Sequence, residues 1–103
     1  MALSIKTGTY TGNGVDDRDI TGIGFTPKVV FIREIVQTAG DDGGAMRFDS
    51  MPATESHPIG ANGVALTDVI QSFGADGFQI GTSARVNANT VAYYYLALGG
   101  TDI

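Results

Sequence analysis

Apolar residues in this chain come in short runs, punctuated by turns rich in glycine, asparagine, aspartate and proline. The runs have strand character and show no helical period. Lys28 to Gln37 is β-branched and aromatic, and so is Val91 to Leu98. Met1 to Tyr10 alternates weakly, with Leu3 and Ile5 on one side and Ser4 and Lys6 on the other. Shorter strands are predicted over Asp19–Thr21, Ala45–Asp49 and Phe78–Thr82, and over Val64–Phe73 a strand with a bulge in preference to a helical turn. A turn at Asn87-Ala88-Asn89 is expected to join the last two strands. No run supports a helix of average length. The pattern predicts an all-β protein, an antiparallel β-sandwich of about six to seven strands forming one domain over residues 1–103.

Two of these strands break the rule for a strand with one wet face, which should alternate apolar and polar. In Val91–Leu98 both sides are apolar or aromatic, and in Lys28–Gln37 nearly so. Both faces should therefore be dry. In a domain this small, a second dry face is expected to meet another subunit. Tyr94 shares a side with Ala92, Leu96 and Leu98, which reads as core; Tyr93 and Tyr95 share one with Val91 and Ala97, the candidate subunit interface in preference to an aromatic platform for a sugar face. Arg33 and Glu34 interrupt the other two-sided strand and point to opposite faces; either the strand end is exposed there or a buried charge needs a partner, and Arg33 joins the interface candidates as one pairing across subunits.

Composition narrows the function classes. Charged residues make up only 17% and hydrophobic residues 43%, while 15 glycines suit a turn-rich β protein. There are no cysteines, which excludes disulfide staples, thiolate metal sites and cysteine nucleophiles. A net charge of −5 with scattered basic residues argues against nucleic acid as a partner. No apolar stretch approaches the roughly 20 residues of a bilayer span. The opening Met1-Ala-Leu-Ser-Ile-Lys lacks a signal pattern, which predicts synthesis in the cytoplasm.

Little catalytic chemistry is visible. Asp16-Asp17-Arg18-Asp19 places three carboxylates in a loop, but Arg18 sits among them and the spacing fits no calcium loop. Asp41-Asp42-Gly43-Gly44 reads as a turn. His57 is the only histidine, and its neighbours Glu55 and Ser56 do not make a triad by adjacency. No Gly-x-Ser-x-Gly elbow is present, and no glycine pair opens a helix as a phosphate loop requires. The chain is expected to be no enzyme and to need neither metal nor cofactor.

Three stretches taken together resemble small β-modules of tailed-phage virions and the H-type lectin domain. They are Gly24-Phe-Thr-Pro-Lys-Val-Val-Phe-Ile32, Asp76-Gly-Phe-Gln-Ile80 and Tyr94-Tyr-Leu-Ala-Leu-Gly99, after an opening Gly8-Thr-Tyr-Thr-Gly-Asn-Gly14. The resemblance runs from about Gly8 to Gly100 and implies a sandwich that assembles as trimers. It implies a non-enzymatic virion structural protein, a homotrimeric head decoration or cement protein bound to the major capsid protein or another virion protein. The alternative it implies is a glycan- or receptor-binding adhesin of a tail tip or head fibre, with Tyr10, Asn13, His57 and Asn62 as ligand-loop candidates. H-type lectins often use a tryptophan in the last strand, and this chain has none. Met1 to Lys6 is read either as a strand in its own subunit or as an arm that grips a neighbour.

Overall fold

The computed structural model describes residues 2–35, 44–59 and 65–101. They form seven strands: β1 (Ser4–Thr11), β2 (Arg18–Ile20), β3 (Pro27–Glu34), β4 (Ala45–Phe48), β5 (Ile70–Gly74), β6 (Gly77–Ile80) and β7 (Ala92–Gly99). A single helical turn, α1 (Ala84–Asn87), lies between β6 and β7. The strands make two antiparallel sheets, a four-stranded one ordered β1-β7-β3-β4 and a three-stranded one ordered β2-β6-β5. The all-β, two-sheet reading therefore holds. Of the two readings of the N-terminus, the structure has Ser4, Ile5 and Lys6 in β1, opposite Gly99, Leu98 and Ala97 of the same chain.

One core joins the two sheets. Val30, Ile32, Ala45, Tyr93, Tyr95 and Ala97 come from the larger sheet and Ile20, Ile70, Phe78 and Ile80 from the smaller, with Val69 and Val86 closing the end. Aromatic rings bridge the layers: Phe78 meets Tyr95 edge-on at 5.5 Å and Tyr10 at 6.5 Å, and Tyr10 stacks on Tyr93 at 5.4 Å. Such offset and edge-on pairs add to what burial alone contributes. Gly8 makes room for this cluster, because a Cβ there would press into the Tyr95 ring.

Two expectations need correction. The last two strands do not form a hairpin. Chain from β6 crosses to the other sheet through α1, capped by the Ser83 hydroxyl on the Arg85 amide, and Asn87 turns inward rather than sitting in a surface turn. The bulged strand predicted over Val64–Phe73 is shorter. β5 starts at Ile70, and its bulge against β6 lies between Ile70 and Ser72. That extra residue, Gln71, faces inward, where its amide reaches Asp16 and Asp68.

The β5–β6 hairpin has a second task. In its turn, the Asp76 carboxylate accepts the backbone N–H groups of Gly22 and Gly24 at 3.0 and 2.7 Å, and its carbonyl accepts that of Ile23. Gly22 and Gly24 sit at φ +83° and +89°, the left-handed region in which consecutive amides turn toward one anion. These bonds favour the ionised form and hold the Asp76 carboxyl below its ordinary 3.8. A depressed carboxyl stabilises the fold above its unfolded value and loses that contribution as pH falls through the folded one. Thermal melts from pH 6 down to pH 2.5 should therefore show a smaller acid loss in Asp76→Ala than in the parent. Equal loss in both would show that the clamp does not bear on stability.

Candidate assembly surface

The structure reverses the two faces of β7. Tyr93 is 0% and Tyr95 9% exposed, both inside the monomer's own core, whereas Tyr94 is 53% exposed. Tyr93 and Tyr95 are thus not surface residues, and the side of Tyr94 is the outer one. The physical reason lies in β1 and α1. Tyr10 and Gly8 face the core from β1, and α1 offers the Ala84 carbonyl and Ala88 amide to the Tyr93 hydroxyl, each at 2.8 Å. Burial raises the Tyr95 hydroxyl above its ordinary 10.0.

Register now defines the outer face of the four-stranded sheet. One row across it reads Ile5, Leu98, Val29, Phe48; the next Thr7, Leu96, Phe31, Met46; the next Thr9, Tyr94, Arg33. Ile5, Tyr94 and Phe48 are exposed, and Val29, Phe31, Met46, Leu96 and Leu98 are half-buried. Phe31 and Phe48 meet edge-on at 6.4 Å. Beside Arg33, a shallow hollow of about 180 Å³ is framed by Phe31, Ile59, Tyr94 and Leu96. The face carries one charge in these rows, that of Arg33, which is exposed opposite Tyr94. Its neighbour Glu34 points the other way as expected, 5% exposed, with neither carboxylate oxygen bonded to a donor among the described residues.

Of the ligand-loop candidates, Tyr10 and His57 do not come together. Tyr10 is packed between the sheets, and its hydroxyl donates to the Val86 carbonyl at 2.7 Å; burial pushes that hydroxyl far above its ordinary 10.0. Asn13 is exposed, its side chain accepting from the Val15 amide. His57 pairs with Glu55 at 2.8 Å and bridges Met46 of β4 by backbone hydrogen bonds. Tyr10 and His57 thus flank opposite edges of the larger sheet, about 19 Å apart by strand spacing. Asn62 and the turn Asp41-Asp42 lie outside the described residues.

Polar residues the sequence reading passed over hold the loops. Asn87 is fully buried: its Oδ1 accepts from the Asn13 amide and an Arg18 nitrogen, and its Nδ2 donates to the carbonyls of Val15 and Gly81. Arg47, buried at the edge of the core, donates to the carbonyls of Met51, Ala53 and Glu55 and lies over the Phe73 ring. Burial lowers its guanidinium from the usual value, and Glu55 opposes that shift. The acidic loop is tied similarly, Asp16 accepting from Gln71 and the Asp17 amide, and Arg18 reaching the Thr11 carbonyl. Among the described residues, no three His or acidic side chains converge as metal ligands, and no helix is long and apolar enough to cross a membrane. No family model matches the chain, and neither does any curated protein or solved structure.

Proposed function

We propose that this chain is a non-enzymatic structural protein of a phage particle, a homotrimeric decoration or cement protein that binds the capsid lattice and stiffens it. The observation that carries a structural role is the outer face of the larger sheet, an apolar, nearly uncharged surface where a catalytic or sugar site would need converging polar groups. The virion setting comes from the resemblance over Gly8–Gly100. The low charge content and the net charge of −5 fit a small protein present in many copies on a particle.

Co-sedimentation with expanded capsids of its own phage tests the reading. Binding at a fixed ratio to capsid protein, with capsids that withstand greater heat or chelation, is the expected result. Absence from the pellet would overturn it, and binding to host polysaccharide instead would favour the adhesin.

A further inference from the structure

We infer that the outer face of the four-stranded sheet is covered, in the working protein, by other copies of this same chain. The inference deepens the reading of that face as a contact surface and does not need the virion setting.

Size is the first argument. Three strands of eight residues and one of four, side by side, give a face about 20 Å wide and up to about 25 Å long. Counted flat, that is ~450 Å², a little over half of the ~800 Å² per partner of a standard stable interface before side-chain relief is added. It ranks with the ~300–600 Å² of the largest apolar patch on an ordinary monomer, a patch that is often functional. Composition is the second argument. The rows from Ile5 to Phe48 and from Thr7 to Met46 contain no charge, and interfaces between identical subunits are the apolar, charge-depleted kind. A face left open until a foreign partner arrived would leave the free chain prone to aggregation. A second copy is present as soon as the chain is made.

Placement of charge is the third argument. The three rows hold no acidic residue and Arg33 as their one charge, so copies meeting through them bring no carboxylates face to face. For a chain of net charge −5, that keeps like charges apart. The edges fit as well. β1 ends the larger sheet with no strand beyond it among the described residues, while the far edge of β4 is already bridged by His57. An open edge eight residues long beside an apolar face is a site where another chain packs. Three such faces set around a threefold axis form a triangular prism. With sides of about 20 Å, its inner radius is ~6 Å, close to half the ~10 Å separation of packed sheets.

Light scattering and thiol reactivity together test the inference. Because the chain has no cysteine, a single substitution supplies a unique probe. The thiol introduced by Tyr94→Cys should react with a maleimide at least tenfold more slowly than that of Thr21→Cys on the opposite layer, both measured in the native protein. The parent should run at a multiple of 10.7 kDa, and Ile5→Lys/Tyr94→Lys at 10.7 kDa with its far-ultraviolet dichroism retained. A monomeric parent, or equal thiol reactivity at the two positions, would overturn the inference. So would a folded double variant with unchanged mass. If the double variant fails to fold, the two thiol rates decide alone. A dimer with position 94 protected would sustain the inference and overturn the homotrimer; a protected trimer that ignores capsids would sustain it and overturn the decoration role.

Discussion

Asn87→Ala is expected to cost more stability than alanine at any other polar position in this chain, about 3–5 kcal/mol. The side chain is fully buried, and all of its hydrogen-bonding groups are used. Removing it leaves the Val15 and Gly81 carbonyls, the Asn13 amide and an Arg18 nitrogen without that partner. Each buried group so stranded costs its own desolvation, which exceeds the value of a replaceable surface bond. The loss is also structural. Asn87 ties the β1–β2 loop to the crossover between the sheets, and Gly12 approaches so closely there that a Cβ would strike the Ala88 carbonyl. For a domain of about 100 residues, a loss of this size lowers Tm by roughly 15–25 °C. Asn87→Asp separates the contributions, since it keeps the acceptor facing Arg18 and loses both donors. Its Tm should fall at least as far as that of the alanine variant, because a buried carboxylate oxygen then faces two carbonyl acceptors. A Tm within a few degrees of the parent for Asn87→Ala would refute the hub.

Asn87 also shows why part of the fold was illegible in the sequence. Asn-Ala-Asn after a short strand has the composition of a surface turn, and nothing local says that the first asparagine points inward. That is decided by groups far away in sequence, the loop at Asn13–Val15 and the carbonyl of Gly81. Once Asn87 is buried, chain on either side of it must cross between layers, and the expected hairpin of the last two strands becomes two strands in different sheets. The strands themselves were legible, because β-branched and aromatic runs such as Val29–Ile32 have few other ways to pack. Arg47 was hidden for a related reason. A charge in a strand reads as solvent-facing, yet this one is satisfied by carbonyls of an irregular loop whose path the sequence does not announce.

The candidate surface was half legible. Two-sided apolarity in β3 and β7 correctly flags a strand with more than one apolar face, and the structure gives β7 a buried row and an outer apolar row. Which row is which cannot be read from hydrophobicity, because both are hydrophobic. The deciding cues lie on the neighbouring strand. Thr7, Thr9 and Thr11 alternate with Gly8 and Tyr10, so β1 has a polar side and a side with an aromatic ring and a gap. Pairing the two strands in register puts Gly8 opposite Tyr95 and Tyr10 opposite Tyr93, which sends both β7 tyrosines inward.

Adjacent tyrosines on opposite faces therefore make a sharp contrast. Tyr93→Ala is expected to destabilise the monomer fold by about 3–5 kcal/mol, the range for emptying an aromatic site in a core. It removes a fully buried ring stacked on Tyr10 and a hydroxyl that bonds both Ala84 and Ala88. Tyr93→Phe keeps the ring and should lose only the hydroxyl bonds, about 1–2 kcal/mol. Tyr94→Ala, one residue on, truncates a half-exposed ring and should change the fold's own stability by less than about 0.5 kcal/mol. Its effect should appear in association, as a shift of native mass toward 10.7 kDa on dilution. Because assembly raises apparent Tm by mass action, the melts belong at one fixed protomer concentration, low enough that Tyr94→Ala and parent differ in mass. At that concentration, Tyr93→Ala should melt far below the parent, yet retain the parent's mass wherever it is folded. If instead Tyr93→Ala dissociates while keeping its Tm, the outward and inward faces of β7 have been exchanged, and the surface through which copies meet is the other one.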